Sequence, residues 1–264
     1  KYAFRKKTND EVFQEQFKEQ KESINTLENI FKNNSLDQEK LLKIQNELKN
    51  KKDLSWRDKN KIKKVIDRQK KYNEMIERQA EKLYEALDQN KQENKRNQSK
   101  TDNLKQRIKE LLKSEKQKRI LTELQKLSEK INKEDLIKKA EKLAKNNKQQ
   151  QRSLESLLEL TKRFYVEEKT IQIANKLKEL SKKQQNLFKA QDVDLEKQKT
   201  IGREFKDVSK ELDQLAKDNQ ALKNPMSLPD LEELEKEVKE SLVKSEEKLY
   251  QKANVSAKKE QEKS

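Results

Sequence analysis

Only three residues of this chain, Gly202, Pro225 and Pro229, belong to the two types that most readily turn or break a backbone. Average chains carry roughly 7% Gly and 5% Pro, so over 264 residues there is little material here for tight turns or sheet corners. Lys, Glu, Gln, Asn and Leu dominate instead, and all but Asn are good helix formers. Long helices with few connections are the expected result. Hydrophobic residues make up 30% of the chain and charged ones 43%, too little apolar surface for a thick core. A narrow seam shared by two or three helices suits that balance. Low hydrophobicity with high charge also marks disordered chains, and ordered heptads are what argue against that reading.

The first heptad run extends from about Asp10 to Lys32, where Phe13, Phe17, Gln20, Ile24, Leu27 and Phe31 alternate steps of four and three. Asn33-Asn34-Ser35 then predicts a break, with Ser35 and Gln38 as a capping box for a short helix carrying Leu41, Ile44 and Leu48. Ser55 and Asp58 predict the start of a long helix whose stripe is Ile62, Val65, Tyr72, Ile76, Leu83 and Leu87. Residues 88–103 contain nothing apolar and read as a hairpin bend. Apolar spacing resumes at Leu104 and continues to Ile131, and Asn132 with Asp135 predicts another cap. A polar run over 145–153 reads as a second tip or an exposed stretch of helix. The broadest stripe follows, from Leu154 to Phe188, with Phe164-Tyr165-Val166 read as core.

Asn224-Pro225-Met226-Ser227-Leu228-Pro229-Asp230 is the clearest boundary. Pro225 ends one helix, Ser227 is expected to cap the next, and Asp230 with a Met226–Leu231 staple completes the signal. The last stripe is Leu231, Leu234, Val238, Leu242, Leu249 and Tyr250, and the chain is expected to fray after Ala253. Seams that reverse this often imply antiparallel packing. The fold class expected is therefore all-α, with long antiparallel coiled-coil hairpins forming an elongated helical bundle. Its segments are short helices over 1–54, a long basic hairpin over 55–132, a central bundle over 133–223, and a capped helix with a frayed tail over 224–264.

The missing residue types bound the chemistry. Without Cys or His there is no thiol nucleophile, imidazole base, disulfide or zinc site of ordinary ligands. One glycine cannot build a glycine-rich phosphate loop. The adjacent acids Glu167-Glu168 and Glu246-Glu247 project in different directions on a helix. No catalytic, cofactor-binding or metal-binding residue is assigned, and no enzyme activity or small-molecule substrate is expected. No apolar run approaches the length of about 18 residues that a membrane-spanning helix needs. The chain begins at Lys1 without Met and reads as a piece of a longer protein.

Charge is the remaining signal. Residues 51–150 hold 31 Lys and Arg against 17 Asp and Glu, and the rest of the chain holds 34 against 32. The densest piece, Lys59, Lys61, Lys63, Lys64, Arg68, Lys70 and Lys71, is a candidate site for a polyanion: nucleic acid, anionic lipid or an envelope polymer. A solvated, solubilising helix face is the plainer reading. Few aromatic rings interleave with these charges, which disfavours nucleic acid. Trp56 reads as a packing anchor at a hairpin end, with docking of a partner as its alternative role.

Two stretches, RSLESLLELTKRFYVEEKTIQIANKLKELSKKQQNL at 152–187 and DNQALKNPMSLPDLEELEKEVKESLVKSEEKL at 218–249, together resemble the coiled-coil region of a family of large, uncharacterised Bacteroidota envelope proteins. The Asn-Pro-x-x-Leu-Pro-Asp element at 224–230 is the more specific part of the likeness. The resemblance implies an extracytoplasmic segment on the periplasmic side of the inner membrane of a Gram-negative bacterium, tethered by a region outside this chain. It brings no catalytic residues or cofactor. The function expected is a structural or scaffolding segment that meets other proteins, or a second copy of itself, by helical packing, with membrane contact confined to the tether.

Overall fold

The computed structural model describes residues 9–51, 53, 55–89, 98–112, 119–123, 126, 133–190, 194–251 and 254–263. It is an all-α bundle, with no strand among the described residues. We number the helices α1 (Asn9–Lys49), α2 (Trp56–Gln89), α3 (Gln98–Leu112), α4 (Lys133–Lys189), α5 (Leu195–Gln220), α6 (Glu232–Tyr250) and α7 (Asn254–Lys263). The chain divides into two compact units, residues 1–162 and 163–264, with the boundary inside α4.

In the first unit the chain runs up, down, up and down. Lys61 reaches Glu47 at 3.2 Å and the Gln69 amide donates to Asn34 at 3.2 Å, so α2 lies antiparallel to α1. Lys105 pairs with Asp88 at 2.7 Å, while Ile120 and Leu121 pack on Ile62, Val65 and Ile66, so the chain after α2 climbs back along it. α4 then descends beside α1, with Lys49 on Glu141 at 2.7 Å and Lys162 paired with Glu28. Ile62, Val65, Ile66, Ile120, Leu121, Ala140 and Leu143 form one buried cluster, with Ile44, Ile137 and Ala144 packed against it.

α1 is one helix of 41 residues, where the sequence predicts a break at Ser35. The inward row simply continues: Phe17, Gln20, Ile24, Leu27, Ile30, Asn34 and Gln45 are all buried. Asn34 is 1% exposed and accepts the Gln69 hydrogen bond across the seam, and Ser35 donates to the Phe31 carbonyl one turn back at 2.8 Å. A buried polar partner is what lets an Asn occupy a seam position. The polar run over 145–153 is a stretch of α4 rather than a tip: Lys145, Lys148, Gln149, Arg152 and Ser153 are exposed, while Asn147 and Gln150 are buried and the Gln150 amide donates to Asn73 at 3.1 Å. Of the bend expected over 88–103, residues 88–89 close α2 and 98–103 are already α3, while 90–97, like the cap expected at Asn132, fall outside the described residues.

In the second unit α5 is antiparallel to the C-terminal part of α4, with Lys183 on Glu204 at 2.6 Å and Lys176 on Glu211 at 2.8 Å. Asp194 caps α5, accepting the Glu196 and Lys197 N–H groups at 3.0 and 3.1 Å. Phe164, Tyr165 and Val166 are core, as the stripe predicts. Burial pushes the Tyr165 hydroxyl up to about 12, helped by the charges of Asp218 and Glu211.

The connection after α5 differs from expectation. α6 starts at Glu232 rather than after Ser227, its N-cap Leu231 makes no side-chain bond, and Asp230 accepts from the Glu232 N–H at 3.1 Å. The Asn219 side chain holds the loop instead: it donates to the Met226 carbonyl at 2.9 Å and accepts its N–H at 2.8 Å. Leu234 and Tyr250, expected in the seam, are 58% and 80% exposed, and Ser241, Leu242, Ser245 and Leu249 face inward. Residues 254–263 form α7 where a frayed tail was expected, because Ala257, Glu260 and Gln261 are buried. Gln261 donates to Gln198 at 2.9 Å and Lys248 pairs with Glu260 at 2.8 Å.

Candidate polyanion interface

α2 begins where Ser55 and Asp58 cap each other. The Asp58 N–H donates to Ser55 Oγ at 3.2 Å, and the Ser55 N–H and hydroxyl donate to Asp58 Oδ2 at 3.1 and 2.6 Å. Lys51 closes the box on Asp58 Oδ1 at 2.6 Å. The Lys51 ammonium and then the Ser55 hydroxyl hold the Asp58 carboxyl down to about 2. From that start the inward row, Ile62, Ile66, Gln69, Asn73, Ile76, Ala80, Leu83 and Leu87, keeps alternating steps of four and three and is buried throughout.

A helix with a row of that period has a second row opposite it. At about 100° per residue, positions two residues from an inward one face away from the seam. On α2 the outward band runs through Arg57, Lys61, Lys64, Arg68, Lys71, Met75, Arg78 and Lys82, all exposed, with Lys61 and Lys82 on its α1 side and the exposed acids Asp67, Glu74 and Glu81 along its other side. Seven of the eight are cations. The row spans about 37 Å at 1.5 Å per residue. Lys61 also pairs with Glu47; Lys63, Lys64 and Lys71 form no ion pair among the described residues.

The sequence reading therefore names four members of this row, Lys61, Lys64, Arg68 and Lys71. Lys63 is exposed on its flank, and Lys59 and Lys70 are half-buried beside the seam. Arg57, Arg78 and Lys82 lie outside the dense run from Lys59 to Lys71 and join it only through the helical period. The flank that begins at Lys63 continues as the exposed acids Asp67, Glu74 and Glu81. Each stands about 100° from the row member that follows it but only about 40–60° from Lys64, Lys71 or Arg78, three or four residues away.

Trp56 is not the packing anchor the sequence suggests: it is 78% exposed. In the first turn of α2 the inward place goes to Asp58, 4% exposed and tied into the polar cap. The indole stands in water at the N-terminal end of the basic row.

Elsewhere, a groove of about 400 Å³ runs between α1 and α2, lined by Glu19, Gln20, Ser23, Gln79, Lys82 and Glu85 among others. The two adjacent acid pairs do not converge: Glu246 lies over Gly202 on α5 while Glu247 is exposed, and Glu167 pairs with Arg163 at 3.7 Å. Among the described residues no group of three or more acids is placed to hold a metal ion. None of the described helices is long and apolar enough to cross a membrane.

Comparison with known proteins returns nothing for this chain: no family model, curated protein or solved structure matches it.

Proposed function

We propose that this chain is a non-enzymatic scaffold whose first unit presents α2 to a polyanion. One observation carries the reading: seven cations stand at helical period on a single exposed face. The distribution of charge supports it. Of the 65 basic and 49 acidic residues, 43 and 28 lie in residues 1–162, so that unit carries +15 of the net +16. Neutralising several phosphates or sulfates at once releases counterions, which makes affinity fall steeply with salt. The whole chain is expected to bind heparin at about 50 mM salt and to release it by a few hundred millimolar, with a log–log slope steeper than about −3. Absence of binding at the low-salt end would sink the proposal.

A second reading has its own observation. α6 exposes Leu234, Val243 and Tyr250 at 58%, 55% and 80%, and Val243 and Tyr250, seven residues apart, share a face. That face suits another protein's helix. The two readings are compatible in one scaffold. The periplasmic setting implied by the resemblance belongs to the same proposal, and cell fractionation of the native protein tests it.

A further inference from the structure

We propose that the α2 face binds an anionic lipid surface, lying along it with the basic row in contact. The inference rests on the polyanion reading above and names the partner. Three features choose a flat surface over a nucleic-acid groove. The first is straightness: the row runs in line for about 37 Å, whereas a DNA backbone completes a turn in about 34–36 Å. A straight line of charges meets the phosphates of a duplex only over part of that length, and a bilayer is flat over all of it.

The second feature is the flank. A helix lowered into a groove faces phosphates on both sides, and Asp67, Glu74 and Glu81 occupy one side of α2. On a plane α2 can rest on Lys64, Arg68, Lys71 and Met75, which leaves those acids about 70° from the middle of the contact. The third is the apolar content of the row. Met75 is 38% exposed in its middle, and Trp56, 78% exposed, stands beside its first residue about 100° round the helix from Arg57; an indole with a polar N–H settles at the headgroup level of a membrane. Each Lys or Arg near an anionic leaflet contributes about a fivefold gain. The surface contact is then electrostatic and reversible, unlike the spanning anchor expected outside this chain.

The experiment uses the full chain with phosphatidylcholine vesicles, with and without about one-third phosphatidylserine, at about 50 and 200 mM salt. A DNA duplex and heparin serve as competing polyanions. Binding is expected only to the anionic vesicles, with a blue shift of emission from Trp56, the single tryptophan. Neutralising the row (K61Q, K64Q, R68Q and K71Q together) is expected to weaken vesicle binding about 100-fold or more. Neutralising four exposed lysines of the second unit (K178Q, K182Q, K206Q and K236Q) changes net charge equally and is expected to leave most of the binding. Circular dichroism confirms that both variants fold, and single substitutions such as K64Q replace the set if it does not.

Equal loss in both sets would overturn the assignment to α2. Tighter binding to the duplex than to anionic vesicles, or heparin binding with no vesicle binding, would overturn the lipid surface while leaving the polyanion reading intact. Failure to bind any of the three would remove both.

Discussion

Asp58 shows how one residue sets the start of the basic face. Its carboxylate accepts from Ser55 and Lys51 and holds the first turn of α2, which fixes the phase of every later residue. Because its folded value is near 2, below the ordinary 3.8, its contribution is complete above the ordinary value and disappears as pH falls from about 4 through about 2. Asp58→Asn is therefore expected to lose less stability than the native chain between pH 5 and pH 2, measured by urea denaturation at each pH. A parallel loss in both chains would contradict this account. The capping pair was legible because Ser and Asp three residues apart make a local motif. The exposure of Trp56 was not, because one turn of helix decides which side chain turns inward, and the motif gave that place to Asp58.

At the scale of elements, polar seam residues separate expectation from structure. Asn34 and Gln69 are buried opposite each other and share one hydrogen bond, while Asn34 Nδ2 and Gln69 Oε1 have no hydrogen-bond partner. Replacing Gln69 alone by Leu strands a buried amide and is expected to cost about 1–3 kcal/mol. Replacing Asn34 and Gln69 together by Leu removes both orphaned groups and is expected to restore or exceed native stability. A urea double-mutant cycle measures the coupling; additive losses would mean the pair does not act as a unit. Asn33-Asn34-Ser35 resembles a break because these residues favour caps and turns on their own. Here the partner that keeps Asn34 in the helix is 35 residues away on α2, and no local window contains it. The same limit explains α6, whose Leu234 and Tyr250 fit an apolar stripe but lie outside the burial that Leu242 and Leu249 find against α5 and α7.

The whole molecule is divided in charge as well as in packing. The first unit carries +15 and the second +1. Self-repulsion in the first unit is screened as the Debye length falls toward about 10 Å near 0.1 M salt. Raising salt from about 20 to 200 mM is therefore expected to slow amide exchange in α2 more than in α5, read by hydrogen exchange on peptides from each helix. Equal response in both would show that local ion pairs outweigh net charge.

All-α class and the concentration of positive charge followed from composition and period alone, since they depend on propensity and on residues close in sequence. Which polar residues join the seam, where the chain re-enters a helix at α6 and α7, and which cations share one face are tertiary matters. Each depends on a neighbour supplied by a distant segment, which buries one side of a helix and thereby defines the other. The run of lysines was visible from the start; its extension to Arg57, Arg78 and Lys82 as a single outward row became visible only once the buried row of α2 had been located.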